Sequence, residues 1–577
     1  MHRAWQIDEV SNRIVSHVKT YDARGVRPDP TSLAALAALA RTCRVVSSPA
    51  LDQLWADLHS LLPILRCLPP ELWSVKSASG GLAKTKQFTL KKQPSASDWQ
   101  LLRKHAHRVR SLTLQYWDQC WNVNDWTRCH CFGGLEVLNA NVAHWYNGSP
   151  LFPQLVSLHY TLQTPMDTPF GTKLPECLLK LAGPQLRQLN LAPMSLLGMN
   201  GQVSTLPAEM PGFVTVSTAV DVISRDYPHL TSLLLGFLSE DMISGYTSPA
   251  TLRLSTAIDN TIPRLSELQL IRTTVPLPKD WRASLSRYGS LHNLRNLTIM
   301  MPLQTSAGTD SQMSPTAFRS LTSLNLQVVH GGAKVATKVL QAFKAPALRS
   351  INVVLTAFGS DVIMNQLMAA AAAFPSLDSI SLALEADGEL GDNLLSVERQ
   401  AVISGEAFTP ILQVKGLRRL KLEGRVGCGF NDAFIEKLAK AWPHLQTLSV
   451  KLPNCQEVPL VTAAAVLSLV THCRQLCTLC LAVDATTPPS DDMIATAEAL
   501  PRSNDSRIFE LPDFGSQTVD PRAWAQFLHA LQFNLGATGP MVHSVLSNGW
   551  EFVEGQMYSI TGERIKIVDD DTLDDLD

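Results

Sequence analysis

Four potential zinc ligands lie close together in this chain, namely Cys120, Cys129, His130 and Cys131. Thiolates and imidazoles are the ligands that zinc prefers in proteins. The three consecutive residues cannot easily all reach one tetrahedral ion, and no Cys-x-x-Cys pair lies nearby to complete a site. We therefore expect these side chains to pack within the protein, and we expect no metal or other cofactor.

Motifs that carry catalysis are missing from the sequence. None of Gly-x-Ser-x-Gly, His-Glu-x-x-His and Gly-x-x-x-x-Gly-Lys occurs, and spacing alone singles out no carboxylate pair. These absences favour a binding protein over an enzyme.

Polar side chains at alternate positions beside leucines are the better candidates for function. A surface rich in amides and hydroxyls, with charge concentrated in one stretch, suits protein recognition better than phosphate binding. Such residues would equally occur where a strand merely faces water, so either reading stands for any one position. The residues predicted to bind a target protein are His159, Asn296, Asn325, Arg419, Lys421, Glu423 and Lys451.

A repeated phrase, apolar-x-x-apolar-x-apolar, determines where those side chains stand. It occurs thirteen times between Val109 and Leu481, at an average spacing of about 31 residues. This is the signature of a leucine-rich repeat. The clearest copies begin at Leu186, Leu265, Leu321, Leu417 and Leu476, and weaker ones begin at Val109, Leu135 and Leu155.

Each phrase predicts a short strand with one buried face, because alternate residues of a strand point to opposite sides. The long spacing leaves room for a helix between strands, as in 361–374, 431–442 and 459–473. We therefore predict an α/β fold, a leucine-rich repeat solenoid with a curved parallel sheet and convex helices. A last strand at 508–511 and a closing helix at 520–535 would end the array.

The first eighty residues have a different pattern. Apolar residues at helical spacing predict a first helix over 7–18, a second over 31–43 with Thr31 or Ser32 as its cap, and a third from about Ser48. Three short helices make a small core, which a partner would help to stabilise.

The residues 7–18, 33–44 and 50–55 together resemble an F-box, and in particular the F-box at the head of many leucine-rich repeat proteins of mushroom-forming fungi. Residues 61–69 and 98–112 fit the same group. The resemblance implies a substrate-recognition adaptor of a cullin-RING ubiquitin ligase, of the SCF type. The helices would dock to a Skp-type linker protein, and the repeats would capture an unknown target protein. The residues expected to contact the linker protein are Ile7, Val10, Leu33, Leu36, Leu39, Leu54 and Trp55.

A second interpretation of the helices remains open. They would serve only as the cap that shields the first repeat from water, in a scaffold or inhibitor without catalytic activity. The domains predicted under either interpretation are a helical domain at 1–73, a flexible linker rich in Ser and Gly at 74–85, a repeat domain with its terminal cap at 86–555, and an acidic, disordered tail at 556–577.

Bulk properties narrow the choice of partners and compartment. The net charge is −2, which disfavours nucleic acid or membrane as an obligatory partner. The first residues lack the apolar core of a signal peptide, and the eleven cysteines are scattered. We therefore expect a cytoplasmic or nuclear protein with reduced thiols.

Overall fold

The computed structural model of the chain consists of strands and helices that alternate along the sequence. The structure describes residues 8–21, 28–78, 85–115, 138, 148–161, 179–191, 220, 222–236, 249–301, 317–328, 332–355, 360–384, 402–424, 426–452, 461–501, 507–510, 518–531 and 533–535. The chain divides into two compact units, Met1–Leu294 and Arg295–Asp577. The cysteine cluster at 129–131 and the tail at 556–577 lie outside the described residues.

Within the described residues, the first unit holds a sheet of parallel strands in chain order. These strands are β1 (Asp57–Leu58), β4 (Ser111–Gln115), β5 (Ser157–Thr161), β6 (Gln188–Leu191), β7 (Ser232–Leu235) and β8 (Leu270–Pro276). A separate antiparallel hairpin consists of β2 (Trp73–Ala78) and β3 (Thr85–Leu90). The helices are α1 (Asp8–Val18), α2 (Pro30–Leu39), α3 (Arg44–Ala56), α4 (Leu62–Leu65), α5 (Ala96–Ala106), α6 (Pro249–Thr261) and α7 (Trp281–Gly289).

The second unit repeats the same arrangement. Its parallel strands follow one another as β9 (Asn296–Met300), β10 (Ser323–Val328), β11 (Ser350–Leu355), β12 (Ser379–Leu384), β14 (Arg419–Gly424), β16 (Thr447–Lys451), β17 (Thr478–Cys480), β18 (Arg507–Glu510) and β19 (Phe533–Leu535). β13 (Val402–Ser404) pairs with β15 (Gly427–Gly429) outside that sheet. The helices are α8 (Gly332–Ala342), α9 (Asp361–Ala372), α10 (Asp432–Ala441), α11 (Ala463–His472), α12 (Asp491–Glu498) and α13 (Pro521–Ala530), with a 3-10 helix at Gly405–Gln413.

The predicted α/β solenoid is confirmed in both units by this succession of parallel strands. In β10, Leu324, Leu326 and Val328 are buried and the residues between them are partly exposed, as the period of two requires. Each fully buried leucine contributes about 1.5–3 kcal/mol, so neighbouring repeats stabilise one another through the buried ladder.

The helices predicted between strands are also confirmed. The stretches 361–374, 431–442 and 459–473 contain α9, α10 and α11. In α9 the buried residues Met364, Leu367, Met368 and Ala371 recur at a spacing of three and four, which places them on one helix face. Near the end of the chain, β18 matches the predicted strand. The closing helix predicted over 520–535 is confirmed as α13 only to Ala530, and the prediction was wrong over 533–535, which form the strand β19.

The phrase that begins at Leu135 contributes no strand between β4 and β5. β4 pairs directly with β5, with Leu112 opposite Leu158, and its other neighbour is β1. Leu138, at the centre of the phrase, is buried in helical backbone. The prediction of a strand here was wrong because an apolar spacing of three residues also fits the buried face of a helix.

The phrase predicted to begin at Leu265 begins three residues later. Ile271, and not Leu268, lies opposite Leu233 of β7. The Gln269 and Leu270 amides donate to the Thr231 carbonyl at 2.8 and 3.1 Å, just as the two residues after the first leucine of other repeats donate to the preceding repeat. Leu265 and Leu268 are both wholly buried, so the apolar pattern fits either frame. The backbone hydrogen bonds decide between them.

Two details of the amino-terminal region differ from the prediction. The cap of α2 is Asp29, whose carboxylate accepts the Thr31 amide at 3.2 Å, rather than Thr31 or Ser32. Residues 74–78 of the predicted linker lie in β2, paired with β3. Pairing between strands overrides the Ser- and Gly-rich composition there, because each strand satisfies the other's backbone groups.

Candidate functional site

The helices α1, α2 and α3 form a small bundle, called the helical head below. Its buried core consists of Val15, Leu36, Val46 and Ala50, each no more than 5% exposed. Pro30 begins α2 directly after the Asp29 cap, and a proline at this position loses no helical hydrogen bond. Four buried side chains are a small core for three helices, so the head needs support from outside itself.

The residues predicted to contact a linker protein lie at different depths in the head. Leu36 is inside the core, so it holds the helices together instead of reaching the surface. Leu33, Leu39 and Leu54 are partly buried against the core, and Val10 is half-buried. Ile7 lies outside the described residues.

Trp55 contacts the repeat domain. Its ring stacks on His105 of α5, with centroids 4.8 Å apart and an angle of 24° between the ring planes. Burial, followed by the nearby positive charges of Lys104 and Arg108, lowers the pKa of His105. The neutral imidazole is therefore favoured beside Trp55.

Ion pairs fasten the head to the start of the sheet. The Lys19 ammonium lies 2.6 Å from Asp57 Oδ2 and donates to the Gln53 carbonyl at 3.0 Å. The Lys19 side chain is only 4% exposed, so the carboxylate compensates a largely desolvated charge. Tyr21 donates to the same carboxylate at 3.0 Å, and burial, followed by the Asp57 charge, raises the pKa of Tyr21.

Arg108 makes a second connection between head and repeats. It pairs with Asp52 of α3 and donates to the Ser48 carbonyl at 3.2 Å. The backbone adds a third connection, because the Arg110 amide donates to the Ala56 carbonyl at 2.8 Å where β1 meets β4. Three contacts thus hold the head on the first repeat.

Two large apolar side chains of the head are exposed to solvent. Ile14 on α1 is 39% exposed and Val45 on α3 is 38% exposed. The sequence alone does not show which apolar residues are exposed. In α1, for example, exposed Ile14 and buried Val15 are neighbours and both are apolar. Val10 and Leu39 are half-buried, so these four apolar side chains are accessible to a partner to different degrees.

His159 is the predicted target-binding residue in the first unit. Its Nε2 and the Ser157 hydroxyl share a hydrogen bond of 2.7 Å, and Ser157 also donates to Gln188 Oε1 at 3.3 Å. Burial lowers the pKa of His159. A serine and a neutral histidine in contact resemble a nucleophile and its base, and no carboxylate among the described residues orients the ring.

The second unit brings together four of the charged residues that were predicted. Arg419, Lys421 and Glu423 alternate along β14, so they lie on one face and are all exposed. Lys451 of β16 stands opposite Glu423 in the register. On the other side, β12 presents only Ser379, Ser381 and Ala383 opposite these residues. The result is a ridge of long charged side chains beside a track of small ones.

Asn296 and Asn325 lie farther along the same face. Asn325 is in register with Thr298 of β9 and Asn352 of β11, and Asn296 is in register with Ser323. The Asn325 Oδ1 atom is buried without a hydrogen-bond partner in the structure. Neighbouring strands are about 4.8 Å apart, so four strand spacings place Asn296 roughly 19 Å from Arg419. A ligand that touched both would have to cross several repeats.

No cluster of three or more potential metal ligands occurs in the described part of the chain. Among those same residues, no helix is both long enough and apolar enough to cross a bilayer.

Comparisons with known proteins find similar solved structures but no family. No protein-family model matches the chain, and no curated protein sequence matches it. The chain is similar to the crystal structure of the Rad7 and Elc1 complex in yeast, with a TM-score of 0.35 and 15% identity, over 79% of this chain and 90% of that chain. A likeness of this degree identifies no family, so the fold rests on the strand register itself.

Proposed function

We propose that the protein is a substrate-recognition adaptor of an SCF-type cullin-RING ubiquitin ligase, without a catalytic step of its own. The helical head would dock to a Skp-type linker protein, and the exposed face of the repeat strands would hold a target protein. The protein would act in the cytoplasm or nucleus, without a cofactor and without nucleic acid or membrane as a partner.

The observation that carries the proposal is the attachment of the head. Three helices with few buried residues are fixed to the first repeat by Lys19 and Arg108, yet Ile14 and Val45 remain in solvent. A rigid attachment with an exposed apolar surface is what an adaptor needs to hold a target at a fixed place relative to its linker protein. The F-box-like sequence of these helices supports the same function.

Co-purification with the Skp-type linker of the host tests this proposal. The native chain should retain the linker, and the double variant Ile14→Glu with Val45→Glu should lose it, because both new charges would be desolvated in the contact. Val362→Glu is the matched control, since Val362 is an exposed valine, 67% accessible, on α9 of the second unit. A native chain that retains no linker would refute the proposal.

One observation favours the alternative, in which the head only caps a scaffold or inhibitor. β1 leaves the head and pairs with β4, so the head also covers the first full strand of the repeats. Under this alternative, Ile14→Glu and Val45→Glu would leave every interaction of the protein unchanged.

A further inference from the structure

A row of arginines crosses the second unit where its strands begin. The residue after the first leucine of each repeat accepts backbone hydrogen bonds from its counterpart in the next repeat, at 2.7–2.9 Å. These bonds join the residues into one continuous line, and arginine occupies alternate places in it. From β9 to β16 the line reads Arg295, Thr322, Arg349, Asp378, Arg418 and Gln446.

Further positive charges lie beside this line. Arg319, Lys415 and Arg474 occupy the turns two residues before the first leucine of their repeats, and Arg419 follows Arg418. We call these residues, together with the arginines of the line, the basic rim. In the turns and strand starts of the repeats from Arg319 to Thr478, Asp378 is the one acidic residue.

The arginines of the line are available to a ligand. Arg295, Arg349 and Arg418 are exposed, and none of them forms an ion pair within the part of the chain that the structure describes. In the described part of the second unit, the ion pairs instead join residues of helices. Lys437 pairs with Glu406, and Lys440 pairs with Glu436. Positive charge on the rim is therefore unbalanced locally, although the whole chain carries a net charge of only −2.

The spacing of the arginines has a counterpart in an extended peptide. Two strand spacings separate successive arginines of the line, which is about 10 Å. A chain in the extended polyproline II conformation has three residues per turn and rises about 3.1 Å per residue, so every third residue lies on the same side and recurs at about 9 Å. Carboxylates at every third position would face Arg295, Arg349 and Arg418 in turn, and arginine pairs well with carboxylates.

Nucleic acid fits this rim less well than a protein does. Asp378 stands between Arg349 and Arg418, where it would repel a continuous line of phosphates. The turns and strand starts that form the rim also expose no Phe, Tyr or Trp on which bases could stack, since Phe318 beside Arg319 is wholly buried. A peptide can place a neutral or basic residue opposite Asp378.

We infer that the basic rim binds an acidic protein segment in extended conformation, with carboxylates at every third residue. The inference specifies the target class for the repeat domain, and in that sense it rests on the proposed function. It does not depend on whether the head binds a linker protein.

Fluorescence anisotropy with the full chain and a labelled synthetic peptide tests the inference. The peptide carries glutamate at every third position between Ser and Gly, and the comparison peptide carries glutamine instead. At low salt the glutamate peptide should bind and the glutamine peptide should not, and added salt should weaken binding because exposed charges are screened.

Paired variants locate the contact. Arg349→Gln with Arg418→Gln should weaken binding by about tenfold, since two exposed ion pairs are lost. Lys334→Gln with Lys338→Gln removes the same charge from exposed positions on α8 and should change binding by less than about twofold. Asp378→Asn should strengthen binding, because it removes the one opposing charge from the line.

Three results would overturn the inference. These are binding of neither peptide by the native chain, equal loss of binding in both double variants, and tighter binding of an oligothymidylate of equal length than of the glutamate peptide. All these measurements use the protein without a linker protein. A failed peptide assay with intact linker co-purification would therefore overturn this inference alone, and the opposite result would overturn only the ligase assignment.

Discussion

The helical head and the second unit achieve stability in different ways. In the second unit, Leu382 and Leu422 are no more than 1% exposed and lie in strands flanked by further buried strands. Among the described residues of the head, the buried apolar core cluster consists of Val15, Leu36, Val46 and Ala50, and the head depends on charged contacts at its base, such as Lys19 with Asp57. A repeat array stabilises itself through nearest neighbours, whereas a small bundle must be fastened to something larger.

The largest effect should follow from a cavity in the second unit. Leu422→Ala is expected to lower the free energy of unfolding of that unit by about 3 kcal/mol, because buried leucine is replaced between packed strands. Urea denaturation measures the loss, and hydrogen exchange of residues 8–56 should not change. Lys421→Ala, on the exposed side of the same strand, is the control. Faster exchange in the head of the Leu422 variant would contradict the claim that the head and the second unit are stabilised separately.

A smaller effect should follow from loosening the head at its base. Asp57→Asn leaves the buried Lys19 ammonium without a countercharge, at an expected cost of about 2 kcal/mol. Hydrogen exchange should quicken in α1 and α3 and stay the same in the second unit. Glu436→Gln is the control, because its pair with Lys440 is solvent-exposed and exposed ion pairs contribute little to stability. Equal effects from both substitutions would contradict the fastened-head interpretation.

Matched helix caps sharpen the comparison further. Asp29 caps α2 of the head by accepting the Thr31 amide at 3.2 Å, and Asn431 caps α10 by accepting the Phe434 amide at 2.9 Å. Replacing either by Ala should destabilise the first turn of its helix, because a backbone amide there loses its hydrogen-bond acceptor. Exchange in α2 should rise measurably, while α10 should stay protected by its buried Phe434 and Ile435. Similar exchange in both helices would show that the head is as stable as the array.

The smallest effect should appear in acid. Hydrogen bonds from the Thr31 side chain and backbone lower the pKa of Asp29 below its ordinary value of 3.8. A carboxylate with a lowered pKa stabilises the fold above that ordinary value, and the contribution is lost as the pH falls through the folded-state pKa. α2 should therefore loosen at acid pH in circular dichroism and exchange, an effect that Asp29→Asn should abolish. The amide cap of α10 does not titrate.

Strand positions were predictable wherever the repeated phrase had only one possible frame. In β10 or β12, the first leucine and the two strand positions fix which residues are buried. The frame at Leu265 was ambiguous, because Leu268 continues the same spacing and only the hydrogen-bond register distinguishes the two. Apolar spacing reports burial but not the partner against which a residue is buried.

The candidate surfaces were predictable only in part. Alternation placed Arg419, Lys421 and Glu423 on one face, since their order along a strand decides it. The basic rim was missed, because its arginines are far apart in sequence and meet only through stacking of repeats. In the head, helical spacing could not separate Leu36 in the core from the exposed Ile14, since both follow an apolar pattern.

The strand β1 is only two residues long, yet it pairs with the beginning of β4. A chain trimmed to start at the hairpin would leave that side of β4 as an open edge. Open edges pair with other chains, so such a fragment is expected to elute from size exclusion as dimers or larger aggregates even where its remaining repeats fold. β1 would then prevent self-association of the repeats, in addition to connecting them to the head.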